Sequence, residues 1–271
     1  MAFTALIMAA NRPAGPDPMA VTRKVSHKAL MPFEGQTMLR RVVDIYLAAP
    51  EVDRILISME TSEAMRQDPV LAAYLDEGRI NWVESGVNLF ASVQKAAESL
   101  AVSDYPLLIT TADNVLHTPS MVAHFCRQCD AGGAGVYVGL TRQATVAATY
   151  VDGDTMASYH HMADGSYSTC NLYAIMAPEH VKAAVAMQGG GQFRIKKRNV
   201  LKAFGLVNLV LYKSGKLSCA ALMKRAGKAL GVPLAHVDMP FADAPVDVDN
   251  ERAFALATRM FRQEQPRQTA A

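Results

Sequence analysis

The sequence predicts an α/β fold: a mixed, mostly parallel sheet with helices on both faces. Through about residue 142, apolar runs of strand length alternate with segments whose apolar residues recur at helical spacing. That alternation is typical of a parallel sheet covered on both sides. Over residues 145–175, short segments rich in Tyr, Thr and Ser indicate an antiparallel or mixed extension of the sheet. We therefore expect a single domain over residues 1–264 and a frayed tail over residues 265–271.

A long loop separates the first strand from the first helix. Residues 3–10 form an apolar run that is too short and too bounded for a helix, and residues 11–36 are rich in Pro, Gly and cations. In a parallel sheet such a loop emerges at the carboxyl edge, where ligands bind, and its positive charge suits a polyanion such as a triphosphate. The loop contains Arg12, Arg23, Lys24 and Lys28. Helical spacing then begins with Met38, Leu39, Val42, Val43, Ile45 and Tyr46.

The remaining elements follow from the same patterns and from helix-capping signals. Buried apolar runs predict strands at residues 54–59, 80–84, 106–113, 134–141 and 234–237. Helical spacing predicts helices at residues 61–77, 89–100, 118–130, 178–187, 217–230 and 250–262, with one more between residues 199 and 217. Thr61 and Thr118-Pro119 are typical of helix starts, and Gly231 is typical of a helix end.

Composition and charge argue against two classes of protein. A net charge of +2 is too small for a nucleic-acid-binding surface. No apolar run approaches the roughly 20 residues that span a bilayer, and the N-terminus lacks the basic lead of a secretory signal. Four cysteines in 271 residues do not make a disulfide framework, which fits a reducing compartment. We expect a cytoplasmic monomer or homodimer without a nucleic-acid partner or a transmembrane segment.

The N-terminal segment resembles the signature of the MobA-like nucleotidyltransferases. In that family a strand ending in Leu-x-Ala-Gly-Gly opens into a Gly/Arg-rich loop, which closes with Lys-x-Leu before the first helix. The residues that match in kind are Leu6, Ala9, Arg12, Gly15, Met19, Lys28 and Leu30, while Ala10-Asn11 stand where the family usually has glycines. The resemblance implies a three-layer, Rossmann-like fold of the GT-A type, with an NTP-binding half at about 1–142 and an acceptor-binding half at about 143–264.

Two acidic segments are candidate ligands for Mg²⁺, which prefers carboxylates together with substrate phosphate oxygens. Asp113 ends the predicted fourth strand, where the family has a metal-binding Asp, although an Asp at a strand end also caps turns. Asp247 and Asp249 would point the same way on a strand, or would form an exposed turn before the last helix. Their segment resembles the family's C-terminal Val-Asp-x-Asp element, which implies Asp247 as the second ligand and Asp249 as the cap of the last helix.

The resemblance also implies how the NTP is held. Arg12 and Lys28 are the expected catalytic cations, acting on the α-phosphate and the departing pyrophosphate. The expected NTP-binding residues are Leu6, Ala9, Ala10, Asn11, Gly15, Asn88, Ser92 and Thr111. Asn88 suits base recognition and a helix N-cap equally well. For Arg23 and Lys24 we expect solvated surface charge, and His27 has no assigned role.

A basic strip after three glycines is the candidate acceptor site. Its cations are Arg194, Lys196, Lys197, Arg198 and Lys202. They would bind a phosphorylated small-molecule acceptor or would form the solvated start of a helix; peripheral contact with anionic lipid is the least favoured alternative. Asn171 is a weaker candidate for the same pocket.

Together these features predict a Mg²⁺-dependent nucleotidyltransferase. An acceptor phosphate oxygen would attack the α-phosphorus of an NTP, expected to be CTP or GTP, with release of pyrophosphate. One alternative is a glycosyltransferase of the same fold that uses a nucleotide sugar, but the Asp-x-Asp that it would normally carry is absent, because Val115 follows Asp113 two residues later. Another alternative is an inactive nucleotide-binding regulatory protein. The sequence does not name the acceptor.

Overall fold

The computed structural model describes residues 1–11, 15–150, 157–183 and 211–268, and in these ranges one sheet organises the chain. The strands are β1 (Phe3–Met8), β2 (Pro32–Phe33), β3 (Gln36–Thr37), β4 (Val52–Met59), β5 (Asn81–Glu84), β6 (Leu107–Thr111), β7 (Val136–Arg142), β8 (His160–Met162), β9 (Gly165–Ile175) and β10 (Leu234–Asp238). The main sheet has the order β10-β7-β9-β6-β1-β4-β5, with β8 paired to β9; β2 and β3 form a separate hairpin.

Strand directions confirm the predicted mixed, mostly parallel sheet. β1 pairs in parallel with β4 and β6, β4 with β5, and β7 with β10. β9 runs antiparallel to both of its main-sheet neighbours, β6 and β7. The carboxyl ends of the parallel strands therefore meet at one edge, which is where ligands bind in sheets of this kind.

Helices cover both faces, so the sheet is the middle of three layers. The helices are α1 (Pro18–Thr22), α2 (Met38–Leu47), α3 (Ser62–Met65), α4 (Pro69–Asp76), α5 (Leu89–Glu98), α6 (Pro119–Ala131), α7 (Gln143–Thr149), α8 (Cys219–Leu230) and α9 (Glu251–Gln268). Apolar residues of α2 and α6 pack on one face, against Ile7 and Leu108, whereas α5 packs on the other, against Leu6 and Ile109. None of the helices in the described ranges combines the length and apolar composition that a bilayer crossing requires.

Four predicted elements differ from the structure. The helix predicted at residues 61–77 is two helices, because Asp68 accepts hydrogen bonds from the backbone N–H groups of Val70 and Leu71 and so caps a new helix that begins at Pro69. The region predicted as short strands from residue 145 begins instead with the helix α7. The last helix, α9, runs to Gln268, past its predicted end at residue 262 and into the predicted frayed tail. The helix predicted at residues 178–187 begins as the 3₁₀ turn Pro178–His180, and its end lies outside the described residues.

A bulge in β9 re-aims one side chain at the carboxyl edge. Val138 pairs with Tyr173 and Leu140 with Thr169, so residues 170–172 stand opposite Gly139 alone. Asn171 adopts φ +50°, the left-handed region that Asn tolerates better than most residues. A Cβ at Gly139 would approach the Leu172 Cβ to 3.1 Å, so glycine leaves room for the bulge. Bulges of this kind often lie beside functional sites.

Candidate active site

Three segments that are distant in sequence meet at the carboxyl edge. Asp113 follows β6, Asp247 lies between β10 and α9, and Lys28 begins a 3₁₀ turn at the end of the loop that leaves β1. The Val248 N–H donates a hydrogen bond of 3.1 Å to the Asp113 carbonyl oxygen. The acidic segment is therefore fixed beside the end of β6 by backbone contact.

Lys28 lies between two carboxylates. Its Nζ donates to Asp113 Oδ2 at 2.5 Å, to the Val248 carbonyl at 3.0 Å and to Asp249 Oδ1 at 3.2 Å. All three ammonium hydrogens are thus engaged. Burial lowers the pKa of the Lys28 ammonium, but the charges of Asp113 and Asp249 more than offset burial, so its pKa lies above the ordinary value. Lys28 is therefore a permanent cation in this site.

Asp247 is held by Asn171, whose Nδ2 donates to Asp247 Oδ2 at 3.1 Å. Burial, together with the neighbouring charges of Asp113 and Asp249, raises the pKa of Asp247 to about 6. The bulge in β9 is what brings Asn171 to this carboxylate. Asn171, proposed from the sequence for the acceptor pocket, thus orients a candidate metal ligand.

The charge of this cluster suits a divalent cation. Asp113 and Asp249 contact the Lys28 ammonium, and Asp247 is a third carboxylate whose pKa is raised by burial and then by the charges of Asp113 and Asp249. Within the described residues no group of three or more His, Cys, Asp or Glu side chains forms a complete metal site. Mg²⁺ does not need one, because one or two carboxylates and substrate phosphates usually hold it. The residues present therefore fit Mg²⁺ that arrives with a nucleotide.

The raised pKa of Asp247 has a consequence for stability without metal. Because the folded-state pKa of about 6 exceeds the ordinary aspartate pKa of 3.8, the native state binds the extra proton between these pH values. This contribution is fully present below about pH 4 and is lost as the pH rises through about 6, by roughly 3 kcal/mol. We expect urea unfolding in EDTA to show wild type losing stability relative to Asp247→Asn across this window. Parallel pH profiles of the two proteins would contradict the raised pKa.

A buried histidine that was not among the site residues predicted from the sequence links the segments that form the site. His117 is fully buried, and its Nε2 donates to the carbonyl oxygens of Cys170 at 3.0 Å and Ala244 at 3.3 Å. The His117 imidazole thus joins the segment that follows Asp113 to the bulge in β9, through Cys170, and to the chain just before Asp247, through Ala244. Burial lowers the pKa of His117 to about 4, so the ring is neutral at pH 7. In the sequence, only its position four residues after Asp113 connects His117 with the site.

Replacing His117 with Ala is expected to destabilise the protein by about 3 kcal/mol, since it leaves two buried carbonyls without a donor and opens a cavity. Urea denaturation measures the change. His161→Ala is the matched control, because His161 is exposed on the β8–β9 hairpin and should cost less than about 0.5 kcal/mol. Equal losses in the two variants would show that the His117 contacts are unimportant.

Asn11 closes the base of the loop that follows β1. Its backbone N–H donates to Glu60 Oε1 at 2.8 Å, and its Nδ2 donates to the Ser26 carbonyl at 3.1 Å. The other Glu60 oxygen lies 2.9 Å from His27 Nε2. The departure from the family's glycines at this position thus has a structural reason: the Asn11 side chain ties the start of the loop to Ser26, shortly before Lys28, by a hydrogen bond that glycine could not donate.

The other proposed NTP-binding residues have mixed surroundings. Leu6 is fully buried in the core, so its side chain cannot face a nucleotide, and we remove it from the proposed contact set. Asn88 caps α5 by accepting from the Ala91 N–H at 3.0 Å, and the Ser92 hydroxyl accepts from the Gly86 N–H at 2.8 Å. The Thr111 hydroxyl lies 2.5 Å from Asp113 Oδ1. Ala9 is buried, Ala10 half-buried and Gly15 exposed at the loop.

Two assignments of charged residues were wrong. Asp249 does not cap the last helix; the Asn250 side chain does, by accepting from the Ala253 N–H at 3.0 Å. Arg23 is not merely solvated, because it donates to both carboxylate oxygens of Glu251, at 2.6 and 2.7 Å, and stacks over the Phe254 ring. Arg23 therefore ties the loop to α9. The remaining candidates lie outside the described residues: Arg12, Arg194, Lys196, Lys197, Arg198 and Lys202.

Comparison with known protein families decides the family. A model of the MobA-like NTP transferase domain matches residues 7–189, which is 183 of the 271 residues. The chain belongs to the MobA-like NTP transferase family. The resemblance predicted from the N-terminal segment is thereby confirmed. The range matched by the MobA-like family model includes Lys28, Asp113 and Asn171 and ends before Asp247.

Two solved structures are similar over nearly the whole chain. A hypothetical transferase from Thermus thermophilus has a TM-score of 0.74 at 20% identity, covering 94% of this chain and 100% of that one. The 4-diphosphocytidyl-2C-methyl-D-erythritol synthase from Anaerococcus prevotii DSM 20548 has a TM-score of 0.56 at 9% identity, covering 96% and 98%. At these identities the likeness shows the fold alone. No curated protein sequence matches the chain significantly.

Proposed function

We propose that the chain is a Mg²⁺-dependent nucleotidyltransferase that moves NMP from CTP or GTP to a phosphorylated small-molecule acceptor. The observation that carries the proposal is the cluster of Lys28 with Asp113, Asp247 and Asp249 at the carboxyl edge, beside the loop from β1. Family membership supports nucleotidyl transfer. The cytidyl group in the name of the Anaerococcus prevotii neighbour makes CTP the first nucleotide to test.

Asp113 and Asp247 would hold Mg²⁺, with Asp249 as a further carboxylate at the rim. When bound with the triphosphate, the ion supplies Lewis-acid polarisation of the phosphoryl group that is transferred. Asn171 keeps the Asp247 carboxylate oriented, and the Thr111 hydroxyl does the same for Asp113. These neighbours fix the ligands before the nucleotide arrives.

Lys28 would exchange one partner when the nucleotide binds. Its contact with Asp249 is the longest of the three, and the Asp249 side chain is 47% exposed. A phosphate oxygen would replace Asp249, while Asp113 and the Val248 carbonyl keep the ammonium in place. Lys28 then offsets charge that develops on the phosphates during transfer. Arg12 is proposed for the same task by family resemblance.

The reaction requires no covalent intermediate. An anionic phosphate oxygen of the acceptor attacks the α-phosphorus in line, the bond to the bridging oxygen breaks, and pyrophosphate leaves. Because the attacking oxygen already carries negative charge, no side chain has to remove a proton. The protein's contribution is alignment and charge compensation. We propose that the basic strip after residue 193 binds the phosphorylated acceptor. We also propose that the enzyme is cytoplasmic.

Ligand-dependent thermal stability tests the proposal. At about 100 times its dissociation constant, the correct NTP with Mg²⁺ should add roughly 2.7 kcal/mol, a shift of several degrees. Pyrophosphate release is then measured with sugar phosphates, polyol phosphates, molybdopterin and isoprenoid phosphates. Stabilisation by a nucleotide sugar alone would favour a glycosyltransferase. Absence of stabilisation by all four NTPs would contradict the proposal.

A further inference from the structure

Basic residues are segregated in this chain. Residues 180–237 contain 11 Lys and Arg and no Asp or Glu, whereas the rest of the chain has 16 basic and 25 acidic residues. At the chain's average composition, a stretch of this length would hold about five acids. A nearly neutral protein therefore contains one strongly positive region, which the net charge of +2 conceals.

Helix α8 displays this charge on its outer face. Its inner face packs Cys219 against Leu140 and Tyr167 of the sheet. The exposed positions of the helix hold only alanines and cations, and two more exposed lysines precede it. We name the cations among them the α8 surface: Lys213, Lys216, Lys224, Arg225 and Lys228.

The lysines of the α8 surface lack the carboxylate partners that several exposed cations have elsewhere. Arg66 pairs with Asp76 at 2.8 Å, for example, and Arg127 pairs with Glu51 at 2.8 Å. In the described ranges, none of the four lysines of the α8 surface forms a salt bridge. Residues 184–210 contain no acid and so cannot supply one. The charges of these four lysines therefore have no acidic residue to offset them within residues 180–237.

We propose that the α8 surface docks on an anionic lipid bilayer. Lysines are separate point charges, which suit an array of many headgroup phosphates better than one ligand that needs paired donors. Nucleotidyl transfer requires none of this surface, so the inference goes beyond the proposed function.

Vesicle sedimentation of the full chain tests the proposal. We expect binding to phosphatidylcholine vesicles with about 30% phosphatidylglycerol and not to pure phosphatidylcholine, with loss of binding at about 0.5 M salt. Lys224→Gln with Lys228→Gln should weaken the apparent affinity about 10- to 30-fold, because each cation near the surface contributes about 1 kcal/mol. Gln keeps helix propensity close to that of Lys, so folding should be unaffected.

Arg66→Gln with Arg79→Gln is the matched control. It removes the same charge from exposed residues on and beside α3 and α4, and should leave vesicle binding unchanged. Equal binding to both vesicle types, or equal weakening in the two double variants, would overturn the proposal. Salt-sensitive self-association without vesicles would overturn it too, because the α8 surface would then dock on the acidic residues of a second copy. The melting temperature and its shift with NTP must stay at the wild-type value in both variants.

Discussion

Replacing Asp113 with Asn is expected to abolish Mg²⁺-dependent stabilisation by NTP and to lower pyrophosphate release by about 10³-fold. Asn keeps the shape of the side chain and an acceptor for Lys28 but removes the charge that attracts the metal. The Asp113 carboxylate is only 13% exposed and is already oriented by Lys28 and Thr111, so its position and charge suit a metal ligand.

Asp76→Asn is the matched control for this prediction. Asp76 is a 64% exposed surface residue of α4 that pairs with Arg66 in an exposed ion pair, and its loss should leave both readouts unchanged. Thermal scans with and without Mg²⁺ and a coupled pyrophosphate assay provide the measurements. An Asp113→Asn protein with wild-type nucleotide stabilisation would require the metal ligands to be sought elsewhere.

Replacing Lys28 with Met is expected to lower kcat/KM by about 10²- to 10³-fold and to destabilise the protein by about 3 kcal/mol. The loss of activity follows from removing the cation that faces the phosphates. The loss of stability follows because Asp113 and Asp249 lose their shared counter-charge while Asp113 stays buried. Urea denaturation and initial rates measure the two effects separately.

A second substitution separates catalysis from stability. The double variant Lys28→Met with Asp113→Asn should recover most of the lost stability, because it removes the unpaired buried charge, and should stay inactive. Lys24→Asn is the control within the same loop, since Lys24 is exposed and at φ +55° Asn is tolerated. Full activity in Lys28→Met would exclude the proposed role of Lys28.

The sequence was sufficient for the parallel part of the fold because its signals are local. The strand at Phe3–Met8, the helix at Met38–Leu47 and the Thr118-Pro119 helix start each depend on neighbouring residues. The sequence pattern placed Lys28 in the loop after the first strand and Asp113 at the end of the fourth, and the resemblance to the MobA-like family implied the role of each. The Asp68-Pro69 start was missed, because helical spacing continues through it and only the cap interrupts the helix.

The contacts between those residues are a property of the tertiary structure. Asn171 reaches Asp247 only because β9 bulges opposite Gly139, and His117 matters only because two distant carbonyls meet its ring. Likewise, Asn11 meets Glu60 across 49 positions of sequence. Such contacts depend on strand order and register, which the pairing of distant segments sets. By itself the sequence determined the parallel strands and the candidate site residues Lys28, Asp113 and Asp247. Only the tertiary structure decided which of these residues are in contact, because those contacts join distant segments of the chain.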